Sequence, residues 1–235
     1  MKIALLGYGK MGRAIEKIAM ARGHEIVLRK ASGDNDNGLE DAYVAIEFST
    51  PDAAVGNIST CFDKNIPVVS GTTGWLAHYD RIVSHCNEKK GAFIYGSNFS
   101  LGVNIFFGLN EYLAKVMRRF PEYRVDIEET HHTEKRDAPS GTAISLAKGI
   151  IDHSDYSSWA LGKAKHADEV PIEAKRIENV PGTHSVVYRS PVDEIEIKHI
   201  AHNRDGFALG AVMAAEWLAG KEGVFTMKDV LGLEE

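Results

Sequence analysis

Apolar positions in the first hundred residues fall into short runs separated by stretches with a helical repeat. Residues 3–6, 25–28, 44–48, 68–70 and 92–95 read as buried strands, and 11–22, 52–64 and 76–89 as the helices between them. In the first helix Ala14, Ile15, Ile18 and Ala19 share one face, and Gly23 stops it. Residues 31–40, with Ser32, Gly33, Asp34, Asn35 and Gly38, form a loop. Strict alternation of this kind predicts parallel strands joined by right-handed helical crossovers.

The pattern changes after Asn98-Phe-Ser-Leu-Gly102. A helix is expected over 103–120, stopped by Pro121, then a strand over 123–129 with Val125 and Ile127 inward and Asp126 and Glu128 outward. Pro139-Ser-Gly-Thr142 opens a helix that runs to 151 on Ala143, Ile144, Leu146 and Ala147. Residues 152–181 read as polar and irregular. Strands at 183–188 and 194–201 follow, antiparallel across a turn with Pro191 and Asp193, then a helix at 206–219 and a short tail.

Composition narrows the partners. The chain of 235 residues is 44% hydrophobic and 26% charged, ordinary for a globular protein, and its formal net charge of −6 argues against nucleic acid. Against that background His131, His132, Lys135 and Arg136 are a local cationic cluster, which suits a small anionic substrate. Cys61 and Cys86 are too few and too isolated for a disulfide framework or a metal motif, and read as reduced, buried thiols. The apolar run after Met1 ends at Gly7, and no run approaches the ~20 residues of a spanning helix. A cytoplasmic protein with no membrane partner is expected.

Gly7-Tyr8-Gly9-Lys10-Met11-Gly12 follows a strand and opens a helix, the context in which G-x-G-x-x-G binds a dinucleotide. Gly7 allows the turn, Gly9 the approach of a pyrophosphate and Gly12 close contact of helix and strand. Gly71-Thr72-Thr73 and Gly96-Ser97-Asn98-Phe99 fall at the carboxyl ends of later strands, where a nicotinamide would lie, with Phe99 packed on it. The second strand runs into Arg29, Lys30 and Ser32 where a ribose-binding acid is usual, so a 2′-phosphate is expected there and NADPH to serve at least as well as NADH. The fold class is therefore α/β, a Rossmann-like parallel sheet over residues 1–100, to which 207–235 return, plus an α+β domain with an open mixed sheet over 101–206.

The chemistry points to the second domain. His131, His132 and Lys135 lie just ahead of the Ser140-Gly141-Thr142 helix start, whose free N–H groups and hydroxyls can hold a carboxylate. Adjacent histidines point in different directions, and the spacings of zinc motifs are missing, so no metal is expected. Another two-domain amino-acid or sugar dehydrogenase would explain the glycine loop without the His-His-x-x-Lys and Ser-Gly-Thr pairing. A dinucleotide sensor would have no need of Lys135 with His131.

These strings together resemble the dihydrodipicolinate reductases of lysine and diaminopimelate biosynthesis. The carrying residues are the glycine loop, Gly71-Thr-Thr-Gly74, Asn98-Phe-Ser100, Glu128-Glu-Thr-His-His-Thr-Glu-Lys-Arg-Asp-Ala-Pro-Ser-Gly-Thr-Ala143, Val180-Pro-Gly-Thr-His184 and the segment from Trp217 to Leu231. The resemblance implies that His131 acts in proton transfer and Lys135 as the proton donor, while His132, Gly141 and Thr142 hold the carboxylates of a small dicarboxylate substrate. It also implies hydride delivery to ring C4 and a homotetramer built on the sheet of the second domain. The chain departs from the family in its shortness, in its shorter glycine loop and in the missing acid after the second strand.

Overall fold

The apolar runs of the first half pair into one parallel sheet. In a computed structural model describing residues 1–203 and 205–233, these are β1 (Lys2–Leu6), β2 (Glu25–Lys30), β3 (Val44–Glu47), β4 (Val68–Ser70) and β5 (Ala92–Tyr95). A sixth strand, β11 (Gly223–Phe225), pairs parallel with β5 and gives the order β11-β5-β4-β3-β1-β2. Arg204, Glu234 and Glu235, included in the predicted domain ranges, lie outside the described residues.

Both faces of this sheet are covered, which is why its strands are apolar without alternation. Ile3, Leu5, Ile46, Val69 and Ile94 share a core with Ile15 and Ala19 of α1 (Lys10–Ala21) and with Ala208, Ala211, Val212 and Ala215 of α6 (Asp205–Leu218). Ala4, Leu6, Ala45, Val68 and Phe93 share another with α2 (Pro51–Asp63) and α3 (Tyr79–Glu88). The expected short tail is instead β11 and α7 (Met227–Leu231), whose start is closed by a capping box between Thr226 and Asp229. By compactness the chain forms one unit from Met1–Leu101 with Asp205–Glu235 and another from Gly102–Arg204.

The second unit holds a mixed sheet of β6 (Arg124–His131), β7 (Ser158–Leu161), β8 (Glu169–Arg176), β9 (Gly182–Arg189) and β10 (Glu194–Ala201), ordered β10-β9-β6-β8-β7. β9 runs antiparallel to β6 and β10, whereas β8 is parallel to β6 and β7. Two strands thus occupy the stretch expected to be irregular. Pro171 hid β8, because proline inside a run argues against a central strand. The ladder with β6 begins one residue later, at Ile172, so the missing N–H falls outside it. The helices α4 (Leu101–Met117) and α5 (Gly141–Asp152) supply Phe106, Met117, Leu146 and Ile150 to a core with Val125, Ile127, Val170 and Val186. The other face carries ion pairs, Lys175 to Glu128 at 2.6 Å and Arg189 to Asp126 at 2.7 Å. Among the described residues no helix is long and apolar enough to cross a membrane.

Close contact between α6 and the loop after β5 depends on Gly210, where a Cβ would stand 1.7 Å from the carbonyl oxygen of Phe99. Gly210→Ala is expected to lower stability by about 3 kcal/mol, the upper range for overpacking a core, and denaturant unfolding measures it.

Candidate active site

The alternation that packs β6 into the core continues past its apolar residues. Val125, Ile127, Glu129 and His131 are all buried on the inward face, so the strand ends two residues beyond the expected boundary and delivers a carboxylate and an imidazole inside. Glu129 stands opposite His184 of β9 and beside Ala174 of β8. Its oxygens each accept from the Ser140 N–H at 3.1 Å. Arg176 Nη1 lies at 3.5 Å, and His131 Nδ1 and His184 Nε2 each at 3.6 Å. Burial alone would push the Glu129 carboxyl up, but hydrogen bonding from His184 and Ser140 outweighs it and holds the group at about 2.

His131 experiences the opposite balance. Burial disfavours its charged form more than the Glu129 carboxylate favours it, so its pKa falls to about 4 and the imidazole is neutral at pH 7. Its ring meets that of His184 edge to face, 5.0 Å between centroids. Gly182 leaves room for it, since a Cβ there would stand 3.3 Å from His131 Nε2.

The loop after His131 is pinned by Arg176, which donates to the carbonyls of Asp137 at 2.6 Å and Lys135 at 3.3 Å. Lys135 Nζ donates to Asp137 Oδ2 at 2.6 Å. Half-buried His132 lines a cavity of about 610 Å³ with Thr133, Glu134, Val180 and Pro181. Ser140, expected to hold substrate, is turned inward. Its N–H is taken by Glu129, its Oγ accepts from Ala143 N at 3.2 Å as the cap of α5, and that Oγ lies 3.1 Å from His184 Nε2. Gly141 is exposed with open space at its Cβ position, and Thr142 is half-buried, which leaves these two as the accessible donors of the helix start.

Glu129, His131 and His184 bring ligand atoms within 4.8 Å of one another, a spacing a metal ion could bridge. The same carboxylate already accepts from Ser140 and faces the Arg176 guanidinium, whose charge opposes a cation. The donor set fits a hydrogen-bonded anchor better than a metal centre.

In the other unit the glycine loop has the geometry a dinucleotide needs. Gly7 has φ +106°, and a Cβ there would stand 2.0 Å from the Phe48 carbonyl oxygen; one on Gly12 would stand 2.3 Å from that of Gly7. Nothing lies within 4 Å of the Cβ position of Gly9. Tyr8 hydrogen-bonds to Glu16, while Lys10 and Met11 form the first turn of α1. Gly71 fits under the Phe48 ring, 2.2 Å from where its Cβ would be. Thr73 and Ser97 are exposed, Gly96 is half-buried, and Asn98 Oδ1 accepts from Ser100 N at 2.8 Å.

Three expectations change here. Phe99, 1% exposed, is a core residue beneath α6 and cannot receive a nicotinamide; the half-buried Phe48 ring, 5.6 Å from it, is the aromatic at the strand ends. The Thr72 hydroxyl is spent on Glu47, at 2.8 Å. Arg29 is ion-paired with Glu16, and Lys30 donates to Asp36 at 2.6 Å and Asn57 at 2.8 Å, so both cations already have partners within the chain. Glu47 itself escaped notice. Fully buried at the end of β3, it also accepts from Ser49 N at 3.0 Å and Ser70 Oγ at 2.6 Å, binding neighbouring strand ends together. Glu129, Arg176 and His184 were missed as well. The signal for Glu129 and His184 was an acid or histidine at an inward position of an alternating strand; Arg176 carried none, because β8 itself was not read as a strand.

Comparison with known proteins agrees with this architecture. The family model for the N-terminal part of dihydrodipicolinate reductase matches residues 1–99, and that for its C-terminal part matches 102–231. A 4-hydroxy-tetrahydrodipicolinate reductase from Christiangramia forsetii is 56% identical over 234 residues, covering 98% of both chains. One from Archaeoglobus fulgidus is 36% identical over 262 aligned positions, covering 98% of this chain and 100% of the other. The solved structure of a dipicolinate-bound dihydrodipicolinate reductase from Paenisporosarcina sp. TG-14 shares the fold with a TM-score of 0.77 and 21% identity, over 96% of this chain and 97% of that one. With both halves matched and a relative this near over the whole length, the chain belongs to the dihydrodipicolinate reductase family.

Proposed function

We propose that the protein reduces 4-hydroxy-tetrahydrodipicolinate to tetrahydrodipicolinate with NADH or NADPH, and that Lys135 delivers the proton. The family membership supports the reaction. The observation that carries the assignment of roles is a buried, neutral His131 held beside Glu129, with the Lys135 ammonium on the loop that follows.

The 4-hydroxyl leaves as water, which gives the conjugated dihydrodipicolinate, and a bound nicotinamide would supply a hydride to ring C4 of that species. The electron-rich C3 then needs a proton. Nδ1 of His131 faces the Glu129 carboxylate at 3.6 Å, and we assign the single proton of the neutral ring to that side, with Nε2 as the acceptor. A neutral imidazole has no spare proton to give, so the donor is Lys135, whose charge is felt at His131 and whose backbone is fixed by Arg176. His132 and the Gly141 and Thr142 groups hold the carboxylates, at the positive end of α5. The Gly9 opening and the α1 start fit a pyrophosphate. A cytoplasmic setting accords with two buried thiols left unpaired.

The assembly we propose is a homotetramer through the mixed sheet. Its support is the edge strand β10, with Ile200 exposed on the face away from the helices and Val192 at the β9–β10 turn. Light scattering at micromolar concentration should give four times the 25.8 kDa chain mass; a monomer mass would overturn it.

The reaction is tested by coupling the protein to a synthase that makes the substrate from pyruvate and aspartate semialdehyde, and following loss of nicotinamide absorbance. In that assay Lys135→Ala should cut kcat by about a hundredfold or more, the scale of a lost general acid, with unchanged thermal unfolding. Near-native turnover would remove Lys135 from the proton step.

His131 also makes stability depend on pH. Its folded pKa of about 4 lies below the ordinary value, so between the two the unfolded chain binds more protons and stability rises with pH. The contribution is complete above roughly pH 6.5 and is lost as pH falls through about 4, roughly 3 kcal/mol in all. Denaturant melts at pH 7 and pH 4.5 should show His131→Asn losing less stability on acidification than the parent.

A further inference from the structure

The end of β2 abuts the glycine loop, because Gly7 N donates to the Lys30 carbonyl at 2.9 Å. A 2′-phosphate on a dinucleotide bound there would seek a cation from this strand end. Arg29 is the exposed one, and its guanidinium is already engaged. Nε donates to Glu16 Oε1 at 2.7 Å and Nη2 to the same oxygen, while the Tyr8 hydroxyl donates to Oε2. Glu16 comes from the second turn of α1, and the Arg29 hydrogen bond holds its carboxyl below the usual range, so the pair is charged at neutral pH. Lys30 points the other way, into Asp36 and Asn57.

We propose that Glu16 is a specificity-determining residue, which sets the choice between NADH and NADPH by withholding Arg29 from the 2′-phosphate. A phosphate competes with a carboxylate for one guanidinium, and its own charge meets the unneutralised Glu16 once Arg29 is shared. A ribose hydroxyl meets no such opposition. The chain therefore gains little from the phosphate despite two basic residues at the expected position. The inference rests on reading Gly7–Gly12 as the dinucleotide loop.

The test is binding, without substrate. Nicotinamide fluorescence titrations give Kd for NADPH and NADH on the same preparation, so any inactive fraction cancels in their ratio. Glu16→Gln should shift that ratio toward NADPH by about tenfold at low salt, the scale of one exposed charge-assisted contact. Glu16→Gln combined with Arg29→Ala should return the ratio to the parent value. A ratio that moves less than about twofold in Glu16→Gln, or a shift that survives in the double variant, overturns the proposal. Should Glu16→Gln fail to fold, Arg29→Ala alone decides: a ratio within about threefold of the parent supports a withheld Arg29, and a larger loss of NADPH binding shows that it already serves the phosphate. Parent protein that binds neither nucleotide would instead sink the dinucleotide reading itself.

Discussion

A carboxylate with no access to water keeps its charge only if donors surround it, and in this protein that requirement at Glu129 organises the candidate site. Its donors come from the start of α5, from β8 and from β9, so satisfying one buried charge fixes three separate pieces of chain. Ser140 is tied down as a cap, Arg176 is brought to where it also grips the Lys135 and Asp137 carbonyls, and His131 is kept neutral in a buried niche. Removing one partner from such a buried pair typically costs 3–5 kcal/mol. The geometry of the candidate site is therefore stiff because the anchor beneath it cannot be partly satisfied.

The parallel sheet uses the same device. Glu47 ends β3 as Glu129 lies near the end of β6, fully buried and surrounded by N–H and hydroxyl donors from adjoining strand ends. The difference lies in the neighbours. Around Glu47 the donors are serine and threonine groups and one backbone amide, which shape loops. Around Glu129 they include two imidazoles and a guanidinium, which carry chemistry. A strand that would otherwise stay apolar to its end thus places an inward carboxylate where neighbouring loops and strands converge.

Much of this was legible from residue order. Periodicity located the alternating elements of the first half, because the strands there are built on short apolar runs, and the G-x-G-x-x-G spacing located the glycine loop. It failed at β8, where Pro171 and flanking charges mask a strand whose inward residues, Val170 and Ile172, are few. The His-His-x-x-Lys string marked the candidate loop but did not show that Ser140 turns inward, since the residue that claims its N–H lies eleven positions upstream. Partners across strands, such as His184 and Arg176, depend on register, which spacing along one segment does not contain. Phe99 was misplaced for a related reason: what covers it is Gly210, more than a hundred residues later.

That distance has a further consequence for synthesis. Ala208, Ala211, Val212, Ala215 and Leu218 complete the core on one side of the parallel sheet, and β11 completes its edge, yet all emerge from the ribosome after Gly102–Arg204. Until α6 arrives, Ile94, Val69 and Phe99 lack the helix that completes their cover on the side shared with α1, whereas the second unit is already whole. The segment first translated is thus the last to finish folding, and a chain broken off before Asp205 would present a half-covered apolar sheet face to chaperones and proteases.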